Sequence, residues 1–368
     1  MSEKNRNILH ISSADIWRGA EQQIIYLYQG LQVAGHQQMI FCVQDGLLAK
    51  YCSEHQINHQ TYQRNTGLNF QLALLIKKYT RENTVEIIHI HDPHAHHAYL
   101  TAYLLGLKVP AILHRRVDFP TALNVFSAWK YQCNGIKKII CVSNEVKRVM
   151  DIHPKISKKL EVVHACVDIQ KFKKINGRQI LEKEYPILQG KLIVANIAAI
   201  VDHKDYPTYI KAVHYLVKVL QIKNLHFLII GDGALKSEIK QIIKDYHLEN
   251  HIIITGNRED LPQILNGIDI YTFTSKLEGF GSTILEVMSA KIPIIATNIG
   301  GPREILTHKK NALLVSVGDY IAIAHQIDYL KSHPEITQQL SEEAFKTVQQ
   351  FSIERYIEQV QNIYHQIL

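Results

Sequence analysis

The sequence predicts an α/β protein of two doubly wound, Rossmann-like domains facing across a cleft. Three observations predict it. Short apolar strands alternate with amphipathic helices along the chain, the grammar of parallel sheets built from crossover units. That grammar restarts: strand, loop, helix and strand open at Asn7 and open again at Leu192. The 368 residues accommodate two cores of roughly 150–200 residues each.

Composition narrows the class. A hydrophobic content of 46% with 20% charged residues is that of a soluble globular chain rather than a disordered one. No apolar run reaches the ~18 residues of a membrane span. The N-terminal MSEKNRNILHISS has no signal-peptide core and enters a strand at once, so a cytoplasmic protein is expected. Cys42, Cys52, Cys133, Cys141 and Cys166 show no C-x-x-C spacing and read as buried thiols of a reducing compartment. The net charge of +7 suits a diphosphate substrate or an anionic membrane surface, and no motif points to nucleic acid.

The first half opens with the strand Asn7 to Ile11 and a loop, Ser12 to Gly19. A helix from Ala20 to about Val33, closed by Gly35, and the strand Met39 to Val43 follow. The loop holds a single glycine, Gly19, and no G-x-G-x-x-G, which argues against a nicotinamide or flavin dinucleotide. Val85 to His91 is a strand that empties into Asp92-Pro93-His94-Ala95-His96-His97 and a helix from Ala95 to Leu105. This run resembles the metallohydrolase signature H-x-H-x-D-H with its aspartate one place early, and a one-residue displacement turns a side chain away from its partners. The strand Pro110 to His114 ends in Arg115-Arg116, cations that suit an acceptor or a phosphate, or are simply solvated. Lys138 to Val142 is the last clear strand of this half, with Ser143 placed to cap the helix Glu145 to Met150.

Cations concentrate from Lys137 to Lys174, on a solvated surface or at a membrane. Asn176-Gly177 and Gln189-Gly190 are turn signals, so the hinge is expected between His164 and Gly190. The domains expected are 1–175 and 176–352, with a closing helix over 353–368.

The second half runs from the strand Leu192 to Ile197 through a loop holding Lys204 to a helix, Tyr209 to Leu220. Leu225 to Ile230 feeds Gly231-Asp232-Gly233 and a helix from Ala234 to Tyr246. His251 to Thr255 ends in Gly256-Asn257-Arg258. Ile270 to Thr274 then delivers Glu278-Gly279-Phe280-Gly281 into a helix, Ser282 to Ala290, and Pro293 to Thr297 leads to Gly300-Gly301. A glycine turn at a helix N-terminus builds an anion site, because free N–H groups and the helix dipole point into it. Glu278 and Glu286 flank that turn, and carboxylates beside an anion make sense if they grip neutral hydroxyls. Glu286 has a second reading, since Thr283-x-x-Glu286 also fits a capping box.

The spacing of Glu278, Phe280, Gly281, Glu286, Gly300, Gly301 and Glu304 resembles the retaining glycosyltransferases of family four, the glycosyl transferases of group 1. The resemblance implies the GT-B fold, with the acceptor on the first domain, a nucleotide diphosphate sugar on the second, and the closing helix crossing back to the first. It implies a hexosyltransferase that acts on a glycan or lipid-linked acceptor in bacterial surface polysaccharide or lipopolysaccharide synthesis, peripherally at an anionic membrane face. Catalytic roles are implied for Glu278 at the donor sugar, His114 at the matching strand end and Lys204 on the diphosphate. Donor contacts are implied for Gly19, Ser143, Gly231, Asn257, Arg258, Phe280, Gly281, Ser282 and Glu286. Ala199 replaces an arginine of the family, for which Arg258 or Arg303 could substitute, and Arg18 replaces a glycine. With no D-x-D in the chain, no metal or other cofactor is expected. Two other readings stand beside this one: a metal-dependent hydrolase built on His89 to His97, and a catalytically inactive binding protein of the same fold.

Overall fold

A computed structural model describes residues 5–64, 69–118, 125–172 and 176–368. The chain divides into two compact units, Met1–Cys166 with Ile353–Leu368, and Val167–Ser352. Residues 167–172, assigned to the first domain from the sequence, therefore belong to the second unit. The cause is local. The Val167 N–H donates to the Phe351 carbonyl at 3.0 Å. Phe172 is buried at the end of a 3-10 turn, Ile169–Phe172, that packs on helices of the second unit.

The first unit is a seven-stranded parallel sheet: β1 (Asn7–Ile11), β2 (Gln37–Val43), β3 (His59–Tyr62), β4 (Ile87–Ile90), β5 (Ala111–Arg115), β6 (Ile136–Cys141) and β7 (Leu160–Val162). Their order is β3-β2-β1-β4-β5-β6-β7. Helices cover both faces, which is why β4 and β5 read as runs of isoleucine and leucine rather than as alternating patterns. The sequence reading passed over β3 and the helices Leu47–Glu54 and Phe70–Glu82, and it ended the sheet at β6. Both omitted strands lie at sheet edges; β3 is polar (HQTY) and β7 has three residues, so neither carries an apolar signal.

The closing helix, Ile353–Ile367, buries Tyr356, Ile357, Val360, Ile363 and Tyr364 at helical spacing, in one cluster with Ile8, Leu27 and Ile87 of the first unit. Ile357 lies so close to Gly30 that a Cβ there would stand 2.3 Å from its Cγ1. Gln23 holds the chain where the first unit ends, donating to the Cys166 carbonyl at 2.7 Å and accepting the Cys166 N–H at 2.9 Å. All five cysteines are buried free thiols.

The second unit repeats the topology with six parallel strands: β8 (Leu192–Ile197), β9 (Leu225–Ile230), β10 (Ile252–Gly256), β11 (Ile270–Phe273), β12 (Ile294–Thr297) and β13 (Leu313–Val315), ordered β10-β9-β8-β11-β12-β13. Strand order reverses between β1 and β4 in one unit and between β8 and β11 in the other, and the carboxyl ends beside such a reversal are where ligands bind in doubly wound folds. Two local readings change. Gly177 does not turn the chain but opens the helix Gly177–Glu184, where a Cβ would lie 2.3 Å from the Gln263 carbonyl oxygen. The helix expected from Tyr209 starts at Tyr206, after left-handed Asp205, and passes from His214 into a π-helical turn, Tyr215–Val219.

Candidate active site

In the second unit β11 leads into the turn before the helix Ser282–Ser289. Gly281 caps that helix at φ 86° and ψ 59°, a left-handed conformation open to glycine. A glycine cap has no side chain to take up the first N–H groups of the helix; the Ile284 N–H goes to the Gly281 carbonyl at 2.9 Å, which leaves those of Ser282 and Thr283 for another partner. The same cap decides the reading of Glu286. Thr283 and Glu286 are the second and fifth helical residues, and a capping box needs the cap and the third, so no box forms. No hydrogen bond to the Glu286 carboxyl occurs among the described residues. Burial pushes that carboxyl up to about 7, with Lys171 pulling the other way.

Gly301 explains why the second glycine pair is needed. A Cβ on it would stand 2.1 Å from the Gly279 carbonyl oxygen and 2.6 Å from the Phe280 Cα, so the loop after β12 packs flush on the turn. Phe280 is buried against Phe351, ring centroids 5.7 Å apart.

The loop after β8 brings Lys204 to this turn, where its Nζ donates to Glu278 Oε2. Both side chains are mostly buried, 15% and 20% exposed. The loop is pinned in place: Thr274 Oγ1 donates to the Lys204 carbonyl at 2.9 Å and the Lys276 N–H to the His203 carbonyl at 2.8 Å. Buried Asp205, at φ 52°, accepts from Thr208 Oγ1 at 2.7 Å. Lys204 thus carries a carboxylate partner that the sequence did not disclose.

Gly231 ends β9 at φ 149°, where a Cβ would lie 2.0 Å from the Ala198 carbonyl oxygen; on Gly233 one would lie 2.4 Å from that of Ile200. Close packing of two loops is therefore a sufficient reason for both glycines. Arg258 departs from its expected donor role. Its Nη1 holds Glu184 at 2.7 Å, while Nε and Nη2 hold Asp260 at 2.8 Å, so every nitrogen of the guanidinium is committed. Its charge is thus spent on Glu184 and Asp260 and is not left open for the place of the arginine missing at Ala199. Arg303 is exposed and bonds Asn298 through Nε and Nη2 only. Asn257 is exposed beside Gly256.

The first unit gathers a cluster that the sequence only half revealed. His10 pairs in register with His89, and Ile90 with Leu113, which places His10, His89, His91 and His114 on one sheet face. All four are buried. Ring centroids are 4.4 Å apart for His89 and His91, 5.3 Å for His10 and His91, and 5.6 Å for His89 and His114. Burial holds His10 down to about 4 against the opposing Gln38 hydrogen bond, and burial with neighbouring positive charge holds the other three well below the usual imidazole range. They are neutral at pH 7, and their bonds set the tautomers. Gln38 donates to the Tyr28 carbonyl at 2.9 Å and its Oε1 accepts from His10 Nε2 at 3.0 Å. His10 Nδ1 accepts from His91 Nε2 at 3.1 Å. Arg116 Nη2 donates to His114 Nδ1 at 3.2 Å, leaving the His114 proton on Nε2. His89 bonds the Tyr364 hydroxyl at 2.7 Å.

The histidine run His89 to His97 does not assemble as a hydrolase centre. Asp92 caps the helix Pro93–Leu104, accepting the His94 and Ala95 N–H groups at 2.9 and 3.0 Å. His94 is exposed, and His96 is buried against Tyr131, 5.3 Å between centroids. The ring nitrogens that do lie within 4.8 Å of one another are those of His10, His89 and His91. A cation there would break the His10–His91 bond and stand near the Arg116 guanidinium, in a group without a carboxylate. Scanning the strands together would have found His10, since β1, β4 and β5 each carry a histidine within an apolar run.

Gly19 is exposed at the first turn of the helix Gly19–Val33. Ser143 is buried and its Oγ accepts the Val146 N–H at 3.0 Å, a capping role. The basic stretch is no uniform cationic face. Lys138 pairs with Glu161, Arg148 with Glu145, and Lys159 Nζ donates to the carbonyls of Tyr131, Gln132 and Cys133; Lys173 and Lys174 lie outside the described residues.

Comparison with known proteins agrees with this layout. The family model for Glycosyltransferase Family 4 matches residues 17–171, and that for Glycosyl transferases group 1 matches residues 177–347. N-acetyl-alpha-D-glucosaminyl L-malate synthase of Bacillus anthracis is 25% identical over 327 residues, 86% of this chain and 84% of its own. The UDP-Gal:alpha-D-GlcNAc-diphosphoundecaprenol alpha-1,3-galactosyltransferase of Escherichia coli is 22% identical, covering 97% of this chain and 96% of its own. The crystal structure of Anabaena HepE in complex with UDP and glucose superposes with a TM-score of 0.83 at 20% identity, over 97% of this chain and 99% of that one. Two parallel sheets of matching topology, the uncapped glycine turn between Glu278 and Glu286, and two models that tile the chain place this protein among the GT-B glycosyltransferases of group 1 and family 4.

Proposed function

We propose that this chain transfers a hexosyl group from a nucleoside diphosphate sugar to a glycan or lipid-linked acceptor, with retention of anomeric configuration, in surface polysaccharide or lipopolysaccharide synthesis. One observation carries the reading. The desolvated carboxyl of Glu286 follows an uncapped glycine N-terminus by one turn, so a single short segment offers an anion site and an acceptor for hydroxyls. That combination fits a nucleotide's phosphates and its ribose. Glu278, held by Lys204 before the turn, fits the hydroxyls of the donor sugar.

The acceptor hydroxyl attacks the anomeric carbon on the face from which the diphosphate departs. The bond to the acceptor oxygen forms as the bond to the phosphate oxygen breaks, and the acceptor proton passes to a phosphate oxygen. No side chain needs to act as nucleophile. The protein contributes position and fixed charge, through Lys204, the N–H groups of Phe280, Gly281 and Ser282, and the helix dipole, without a metal. His114, protonated on Nε2, is a neutral donor for a sugar hydroxyl.

Among the described residues no helix is long and apolar enough to cross a membrane. Peripheral contact with an anionic membrane face is supported by the helix Phe70–Glu82, whose exposed Phe70, Leu74, Lys78 and Arg81 recur at helical spacing, better than by the stretch from Lys137. The test of the main reading is a thermal-shift and donor-hydrolysis screen with uridine, guanosine and adenosine diphosphates and their hexose conjugates, the product anomer being read by NMR. A ligand at a hundred times its Kd stabilises by about 2.7 kcal/mol. Should none of the nucleotides bind, the reading is wrong; an inverted product would remove retention alone.

A further inference from the structure

Arg116 follows β5 directly, at the carboxyl end of a parallel strand, and its guanidinium is only partly satisfied. Nη2 donates to the neutral His114 and reaches His91 Nδ1 at 3.5 Å. Nε and Nη1, carrying three N–H bonds between them, are buried and have no acceptor among the described residues. Its surroundings do not compensate. The buried Tyr356 hydroxyl lies close enough to the guanidinium to interact with it, but it is a neutral oxygen that leaves the charge unanswered, and His114 Nε2 has no acceptor among the described residues. Glu21, close enough to feel the charge of Arg116, spends Oε2 on the Arg18 N–H at 2.8 Å. No ion pair to Arg116 occurs among the described residues. Native proteins do not retain a fixed cation with several buried, unanswered donors unless something else supplies the acceptor.

We propose that Arg116 binds an oxyanion, a phosphate or a carboxylate, carried by the acceptor substrate. The site rests on the glycosyl-transfer reading for the word acceptor, but not for the anion. His114 and His91 hold Nη2 from one side and leave Nε and Nη1 to the ligand. Because both imidazoles are neutral, the positive charge that meets the anion is that of the guanidinium alone. Arginine suits the task better than lysine, since its donors are fixed in a plane and its charge persists at every working pH. The enzyme would thereby select acceptors that present their hydroxyl at a set distance from a phosphate or a carboxylate.

Calorimetric titration of the full chain tests this, with inorganic phosphate and succinate as probes, in the presence of saturating nucleoside diphosphate so that the donor's own anion site is filled. Wild-type protein should bind at least one probe, and the tighter one identifies the acceptor's group. Arg116→Gln should weaken that probe at least tenfold while nucleoside diphosphate affinity stays within twofold, and Arg116→Lys should recover part of the loss. Circular dichroism and melting temperature establish that the variants are folded; if Arg116→Gln does not fold, Arg116→Lys carries the comparison, with a threefold or greater loss expected. Wild-type protein that binds nucleoside diphosphate but neither probe overturns the proposal and leaves the glycosyl-transfer reading intact. Equal probe binding by variant and wild type also overturns it. A tenfold loss of nucleoside diphosphate affinity in Arg116→Gln would assign the guanidinium to the donor and overturn it as well. Failure of every nucleoside diphosphate to bind wild-type protein counts against glycosyl transfer and removes the acceptor assignment with it.

Discussion

Lys204 and Glu278, 74 positions apart in the chain, meet as an ion pair at the mouth of the second sheet. The pair joins the loop after β8 to the turn after β11, so each residue positions the other. Lys204→Ala is expected to lower kcat/KM by about 10²–10³, comparable to losing one preorganised donor, or roughly 3–4 kcal/mol. Glu278→Gln should lower kcat at least tenfold with nucleoside diphosphate affinity within twofold. The double variant should lose less stability than the two single losses together, because each single change strands a partly buried charge. Steady-state kinetics and denaturation of the four proteins check this; additive losses would mean that the pair is not coupled.

Glu286 predicts a pH dependence of donor binding. Its folded carboxyl lies near 7 against an ordinary 4.5, so between those values the folded protein keeps a proton that the unfolded chain releases. The group therefore lowers stability progressively as pH rises through that window, and Glu286→Gln should be more stable than wild type at pH 8 and equal to it near pH 4. If ribose hydroxyls bind the ionised form, nucleoside diphosphate affinity should rise about tenfold from pH 6 to pH 8. Calorimetry across that range decides, and a flat profile would detach Glu286 from the nucleotide.

Gly301 predicts a packing effect with a functional readout. Alanine there meets the Gly279 carbonyl and the Phe280 Cα, which are backbone and yield only by moving the turn. Gly301→Ala should cost about 1–3 kcal/mol of stability and weaken nucleoside diphosphate binding at least tenfold. Unchanged affinity in a destabilised variant would show that the turn does not hold the phosphates.

The buried imidazoles predict acid sensitivity. His10, His89, His91 and His114 are held below their unfolded value of 6.5, so the unfolded chain takes up protons that the folded one refuses. Their contribution is fully present above pH 6.5 and is lost as pH falls, at about 1.4 kcal/mol per unit for each histidine. Unfolding free energy from pH 7 to pH 5 should therefore drop steeply, and His10→Gln should reduce the slope by about one proton. A slope unchanged by that substitution would mean that His10 titrates in the folded state.

Much of the site was legible because it is local. Glu278, Gly281 and Glu286 occupy one strand-turn-helix segment, and the physics of a glycine at a helix start depends on a few neighbouring residues. The alternation of apolar strands and helices likewise announced two parallel sheets, since strands covered on both faces must be apolar throughout. The edge strand β3 escaped because an exposed polar strand has no hydrophobic period to detect.

What only the tertiary structure decided is who meets whom. Arg258 looks like a spare cation in the sequence, yet Glu184 and Asp260 consume every nitrogen it has. Lys204 looks like a cation for phosphate and proves to hold Glu278. His89 and His91 suggested a motif with His94 and His96, but strand register joined them instead to His10 and His114. The sequence by itself determined the two doubly wound sheets and the glycine turn at a helix start, because their causes lie within a few residues of one another. The partners of the charged and titratable groups were decided by sheet order and register, which bring together residues tens to hundreds of positions apart and leave no periodic trace in the chain.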